Sequence, residues 1–250
     1  MKIAAFIQAY NELSKGHLYR CLNNVSIWAD QIFIYDDCST DGSQDVYLKY
    51  TEEKNIIWGP ERNFKNEQFN KAKLLNLTLR SNPDWIFWID VDTIADKNLT
   101  NNLKSIVSDL DKAGADGAIC HNINMWRHPA FARIDDSFND CNPVCLWKNN
   151  GNLKYSPSFG LHGQMFPNGM NKINKLNYNL LHYGFASKEW IILKYNMYKS
   201  MGQTGWALDR LITEGPLFKV VKIPISIFPE QNIPEDYNEI KSLVPQGILQ

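Results

Sequence analysis

The chain has 250 residues, with 26 basic and 27 acidic side chains and a formal net charge of −1. It is 44% hydrophobic and 12% aromatic, enough to build one large packed core. The balanced charge argues against binding nucleic acid by bulk phosphate neutralisation, and no apolar run reaches the length of a membrane span.

The first apolar run, residues 2–9, predicts a buried strand. It meets polar Asn11 and Glu12 too early to be a secretion signal. The cysteines (Cys21, Cys38, Cys120, Cys141 and Cys145) are odd in number and scattered, so reduced thiols in a cytoplasmic protein are expected. Cys141 and Cys145 lack a second Cys/His pair at zinc-site spacing. Ser14 is placed to cap a helix running to about residue 28, with Leu18, Cys21, Leu22 and Val25 at helical spacing. A strand is expected over 31–35, then a helix capped by Ser43 through about residue 50, then a short strand over 56–58. Residues 67–80 read as a helix with Phe69, Ala72, Leu75 and Leu79 on one face.

Residues 85–89, Trp-Ile-Phe-Trp-Ile, are a continuous apolar run and predict a strand buried on both faces. Asp90 and Asp92 follow it at D-x-D spacing, which in an extended chain would point both carboxylates to one side. Paired carboxylates at a sheet mouth suit an oxygen-loving divalent cation; an ordinary acidic turn is the alternative. A fourth helix is expected over 98–113 and another strand over 117–123.

This alternation predicts an α/β fold with a mostly parallel central sheet between helices. Ligands in such sheets bind outside the carboxyl ends of the strands. Three polar clusters fall at such ends: Tyr10-Asn11-Glu12, residues 36–43, and Asp90-Val91-Asp92. From about residue 125 the composition turns to Trp, Pro, Asn and Gly, predicting an irregular or antiparallel region added to the same sheet. A strand over 177–183 carries His182, and a helix over 187–201 is capped by Ser187. A short helix over 206–213, an edge strand or extended tail over 220–228, and a loose polar tail over 231–250 complete the chain.

The segment Ile34-Tyr35-Asp36-Asp37-Cys38-Ser39-Thr40-Asp41-Gly42-Ser43 resembles the "VDDGSTDGT" segment of glycosyltransferase family 2. Ala9-Tyr10-Asn11-Glu12 is similar to that family's "xYNE" loop, and Asp90-Val91-Asp92 stands where the family carries its D-x-D motif. The three occur in the family's order across the first 125 residues or so; Cys38 replaces the family's usual Gly. The resemblance implies the GT-A fold, a Rossmann-like three-layer α/β/α sandwich. One domain over 1–250 is expected, with a nucleotide-sugar half over 1–124, an acceptor-side half over 125–230 and a tail. The implied activity is metal-dependent transfer of a sugar from a nucleotide diphosphate, with uridine the family's habit, to a hydroxyl of a glycan or other acceptor with inversion.

The resemblance also implies site roles. Tyr10, Asn11, Glu12, Asp36 and Asp37 belong to the nucleoside side, Asp90 and Val91 to the ribose, and Lys73 or Lys71 to the diphosphate. Asp92 would ligate Mn²⁺ or Mg²⁺, with His182 as a further ligand, since GT-A enzymes often take a histidine from the C-terminal part. The base that deprotonates the acceptor is expected to be Asp135 or Asp136, with His162 behind them; structural ion pairs with Arg133 are the competing role for these aspartates. Two other readings stay open: a haloacid-dehalogenase-type phosphatase using Asp90 and Asp92, and a GT-A module that binds without turnover.

Overall fold

A computed structural model describes residues 1–135, 138, 142–157, 164–214 and 218–242. Its main sheet has eight strands in the order β3-β2-β1-β4-β8-β6-β9-β5. The strands are β1 (Ile3–Ala9), β2 (Gln31–Asp36), β3 (Ile56–Trp58), β4 (Trp85–Trp88), β5 (Thr93–Ala95), β6 (Gly117–Asn124), β8 (Val144–Lys148) and β9 (Ile173–His182). A second, two-stranded sheet pairs β7 (Phe131–Arg133) with β10 (Val220–Lys222). The helices are α1 (His17–Trp28), α2 (Ser43–Tyr47), α3 (Glu67–Arg80), α4 (Lys97–Lys112), α5 (Lys188–Ser200) and α6 (Trp206–Asp209).

β1, β2, β3 and β4 pair in parallel, as do β6 and β9. β8 runs antiparallel between β4 and β6, so β4 and β6 point the same way. The piece expected as part of an irregular addition is therefore a central strand. The carboxyl ends of β1, β2, β4, β6 and β9 all open at one edge of the sheet.

Alternation along the strands divides the core into layers. Ile3, Ala5, Ile7 and Ala9 pack on one face with Leu18, Leu22, Val25, Leu99, Leu103 and Val107 from α1 and α4. Ala4 and Phe6 face the other way, towards Leu74 and Leu75 of α3 and towards Trp88, Trp147 and Tyr155. Both faces are covered, which is why β1 and β4 carry no polar alternation. β5 lies at the sheet edge, where an unpaired backbone would be costly. Buried Asn24 of α1 fills that role: its Oδ1 accepts from Ala95 N (3.0 Å) and its Nδ2 donates to Ala95 O (3.2 Å).

Several local expectations are corrected. Ser14 does not cap α1, which starts after Gly16. Gly42 precedes α2, and Asp41 takes the capping role: Oδ1 accepts from Ser43 N (3.1 Å) and Oδ2 from Leu13 N (2.9 Å). Helix α3 buries Gln68, Asn70, Lys71, Leu74, Leu75 and Thr78, a face rotated from the expected one. Lys71 turns inward because its ammonium stands over the Trp88 ring (4.6 Å) and pairs with Glu67 (3.5 Å). The tail is docked as far as Ile240: Lys222 Nζ donates to Tyr237 O (2.6 Å) and Ile240 O (2.7 Å), and Phe228 and Tyr237 join a hydrophobic cluster with Ile223.

Candidate active site

The strand ends supply the site. β4 stops at Trp88, and residues 89–92 leave the sheet as a turn closed by Thr93 N donating to Asp90 O (2.9 Å). The D-x-D is therefore not extended, and its two carboxylates have different environments. Asp90 is open to solvent at the rim, while Asp92 is 9% exposed. β5 then pairs with β9 so that Thr93 lies opposite His182, and Tyr183 N donates to Asp92 O (2.7 Å). This ladder sets Asp92 beside His182 across 90 residues of sequence, with Asp92 Oδ2 3.2 Å from His182 Nε2.

Asn124, at the end of β6, orients the imidazole. Its Nδ2 donates to Phe138 O (2.9 Å), so its Oδ1 faces His182 Nδ1 (2.7 Å) and accepts that N–H. Nε2 is then the ring nitrogen that faces Asp92, and an outer hydrogen bond of this kind to Nδ1 is what orients a metal-binding histidine. Two ligands at right angles around an octahedral ion, each at about 2.1 Å, stand about 3 Å apart. The separation of Asp92 Oδ2 and His182 Nε2 fits that geometry. Room is left by Gly184, where a Cβ would come within 2.5 Å of both atoms. Among the described residues no group of three or more His, Cys, Asp or Glu could hold a metal ion.

A third group stands here that the sequence did not reveal. Lys194 of α5 places Nζ 2.9 Å from Asp92 Oδ2 and 3.4 Å from His182 Nε2. Burial alone would raise the Asp92 carboxyl, but the Lys194 ammonium and His182 hold it well below the usual carboxylate range. Asp90 shifts the other way: although it reaches solvent, the protein packed around its carboxyl raises it, as does the charge of Asp92, with Lys71 opposing. Phe185 lies under both partners, 5.0 Å from the His182 ring and 4.7 Å below Lys194 Nζ.

On the β1–β2 side the expected residues divide between scaffold and open edge. Asp36 is turned inward, accepting from Ser39 N (2.6 Å) and Tyr47 Oη (2.8 Å). Asn11, at φ 51°, locks the two loops by accepting from Thr40 N (2.7 Å). Glu12 accepts from Lys15 (2.7 Å) and stands 2.6 Å from His17 Nδ1, and the His17 ring packs on Trp190 (4.4 Å). Asp37 takes Asn63 N (2.8 Å) and Asn70 Nδ2 (3.1 Å) on Oδ1, and burial pushes its carboxyl up. The Arg62 guanidinium, absent from the sequence expectations, lies 4.0 Å over the Tyr10 ring. Lys73 is exposed on the outer face of α3, while Lys71 is the lysine whose charge reaches Asp90. Val91 is buried in the turn.

The residues expected to face an acceptor are described in part. Asp135 is 7% exposed and accepts from Arg133 Nε (2.5 Å). Arg133 is itself packed on the rings of Trp126 (4.5 Å) and Phe138 (4.4 Å). Asp136 and His162 lie outside the described residues.

A family model described as Glycosyl transferase family 2 matches residues 5–170, which include all three polar strand-end segments and Asp135. The chain belongs to glycosyl transferase family 2. No curated protein sequence matches it. Among solved structures, S. aureus TarS is similar at a TM-score of 0.50 and 18% identity, over 84% of this chain and 42% of TarS. The chain thus spans less than half of that protein. A shorter form, TarS 1-349, gives a TM-score of 0.48 and 17% identity over 84% of this chain and 69% of that one. The mannosyltransferase PcManGT from Pyrobaculum calidifontis, solved with GDP-Man and Mn²⁺, gives 0.46 and 13% over 84% and 67%. The architecture of this family 2 chain is that of the GT-A fold.

Proposed function

We propose that the protein is a divalent-metal-dependent glycosyltransferase that moves a sugar from a nucleotide diphosphate, with uridine as the nucleoside, to a hydroxyl acceptor with inversion. The observation that carries this reading is the pairing of Asp92 Oδ2 with the oriented Nε2 of His182, 3.2 Å apart at the carboxyl edge of the sheet. The two residues would hold Mn²⁺ or Mg²⁺, and the nitrogen ligand favours Mn²⁺. Positive charge at this point offsets the negative charge that grows on the departing diphosphate.

The chain's own residues have distinct parts in this scheme. Asp37 uses only Oδ1 in the bonds to Asn63 and Asn70, and its other oxygen would accept an N–H of the base, which is costly to bury unpaired. Tyr10 and Arg62 would flank the base. Asp90 would accept from a ribose hydroxyl beside Val91, and Lys71, more than exposed Lys73, would favour the diphosphate charge. Asn11, Glu12 and Asp36 shape the loops that hold these groups. The base is assigned to the segment that opens at Asp135 and continues through Asp136. A carboxylate there would take the acceptor proton as the sugar oxygen attacks the anomeric carbon.

The phosphatase reading has no comparable support, because the D-x-D follows the fourth strand, not the first, and lies inside the family match. Turnover separates an enzyme from a binding module: Mn²⁺-dependent hydrolysis of a nucleotide sugar is expected, and tight donor binding with no hydrolysis across a panel of nucleotide sugars would favour the module. Asp92→Asn is expected to abolish Mn²⁺-dependent UDP affinity while leaving the circular dichroism spectrum unchanged, with a smaller loss for His182→Ala. Undiminished Mn²⁺-dependent affinity in Asp92→Asn would remove the site assignment.

A further inference from the structure

Asp92 Oδ2 and His182 Nε2 stand 3.2 Å apart, the two atoms that would face a bound divalent ion. The carboxylate of Asp92 is buried, and a buried negative charge calls for a cation beside it. In this structure that cation is Lys194, whose ammonium is within hydrogen-bonding reach of both, at 2.9 and 3.4 Å. All three polar atoms crowd the space over Gly184, so a divalent ion bound to Asp92 and His182 would come close against the ammonium. Two positive centres at contact distance in a site this enclosed are strongly unfavourable.

Lys194 is not held there by Asp92 alone. It belongs to α5, whose later turns reach across the nucleotide edge. Arg62 Nη2 approaches Met197 Sδ (3.1 Å), and the rings of Phe64 and Tyr198 lie 6.3 Å apart. The helix that carries the ammonium therefore also touches the loop that carries Arg62.

We propose that Lys194 is a resident cation of the metal-free site: it occupies the charge position between Asp92 and His182, and a divalent ion must displace it to bind. The proposal rests on the reading of Asp92 and His182 as metal ligands. Displacement moves the ammonium off Asp92 without breaking any covalent bond, and its flexible stem leaves it free to turn to the diphosphate that arrives with the metal. Metal affinity is thus set partly by the cost of removing Lys194, and a nucleotide diphosphate, by giving the ammonium a new anionic partner, lowers that cost. Mn²⁺ alone should bind weakly, and UDP should strengthen Mn²⁺ binding more than a shared-ligand effect without Lys194 would.

The test is Mn²⁺ titration of the full chain, followed by electron paramagnetic resonance of free Mn²⁺, with and without UDP. Lys194→Met is expected to bind Mn²⁺ alone at least tenfold more tightly than the unaltered protein, and to gain less from UDP. Lys194→Arg, which keeps the charge, should stay within a few-fold of the unaltered protein. In the absence of metal, Lys194→Met should melt at a lower temperature, because Asp92 and His182 lose their counter-charge, and Mn²⁺ should restore more of that loss than in the unaltered protein. Lys194→Gln carries the same expectations should the methionine variant not fold. Unchanged or weaker Mn²⁺ affinity in the neutral variants overturns the proposal. Absence of Mn²⁺ binding above the Asp92→Asn level in every variant, with and without UDP, removes the metal-site reading itself and the proposal with it.

Discussion

Cys38 stands where glycosyl transferase family 2 usually has glycine, and its backbone is left-handed, at φ 69°. A side chain in that region costs roughly 1–2 kcal/mol, of which glycine's greater freedom in the unfolded chain returns part. Cys38→Gly is therefore expected to stabilise the protein by up to about 1 kcal/mol, read as a higher urea midpoint at unchanged slope; a lower midpoint would mean that the thiol makes compensating contacts. The candidate metal pair is equally open to sequence reasoning, since Asp92 and His182 each end an apolar run. Asn124 can be found by the same rule, because it closes β6. Lys194 carries no such signal: it is one of several lysines on a partly exposed helix, and only the packing of α5 brings it to Asp92.

Elements are legible where burial alone dictates them and less so where a polar side chain decides the packing. β1, β4 and α4 lie within a residue or so of their expected bounds, because continuous apolar runs and helical spacing leave little choice. For α3 the apolar pattern gives the right place along the chain but the wrong rotation about the axis. Lys71 counts as polar in a pattern, yet here it is buried against Trp88. Asp96 is the other case, and its role explains how α4 and β9 are joined. Its Oδ1 caps α4 by accepting from Leu99 N (2.7 Å), while its Oδ2 accepts from Asn179 N and Nδ2, both at 2.8 Å. Removal of a cap costs about 1 kcal/mol, and a buried N–H left without a partner costs about 1–3 kcal/mol more. Asp96→Ala is thus expected to lose about 3 kcal/mol in equilibrium unfolding, and a loss under about 1 kcal/mol would show that water replaces the carboxylate.

At the scale of the whole molecule, the change of composition near residue 125 suggests two halves, and the sheet shows why they are not separable. β8 comes from the later half but lies between β4 and β6 of the earlier one. Cys145, Leu146 and Leu180 share a core with Ile3, Trp85 and Leu103. A fragment ending at residue 124 would lose β8 and β9, leaving β4 with an open edge, β5 and β6 without their partner strands, and a gap in the core. Such a fragment is expected to show no cooperative thermal transition; a sharp transition in it would mean that the first 124 residues fold by themselves. Sequence reasoning has no means to place β8, because the order of strands in a sheet depends on long-range pairing that a short apolar run does not encode.

The rung that sets Thr93 against His182 has a consequence for how such a chain can change over time. Two residues 90 positions apart meet because one short antiparallel ladder aligns them, not because the intervening chain has a particular length. Loops between the two can grow, shrink or be exchanged while Asp92 and His182 keep their spacing. A single residue added inside β5 or β9 would do the opposite, turning the imidazole to the other side of the sheet while leaving composition and length almost untouched. Tolerance to insertion should therefore be high across most of the span and vanish at that one rung.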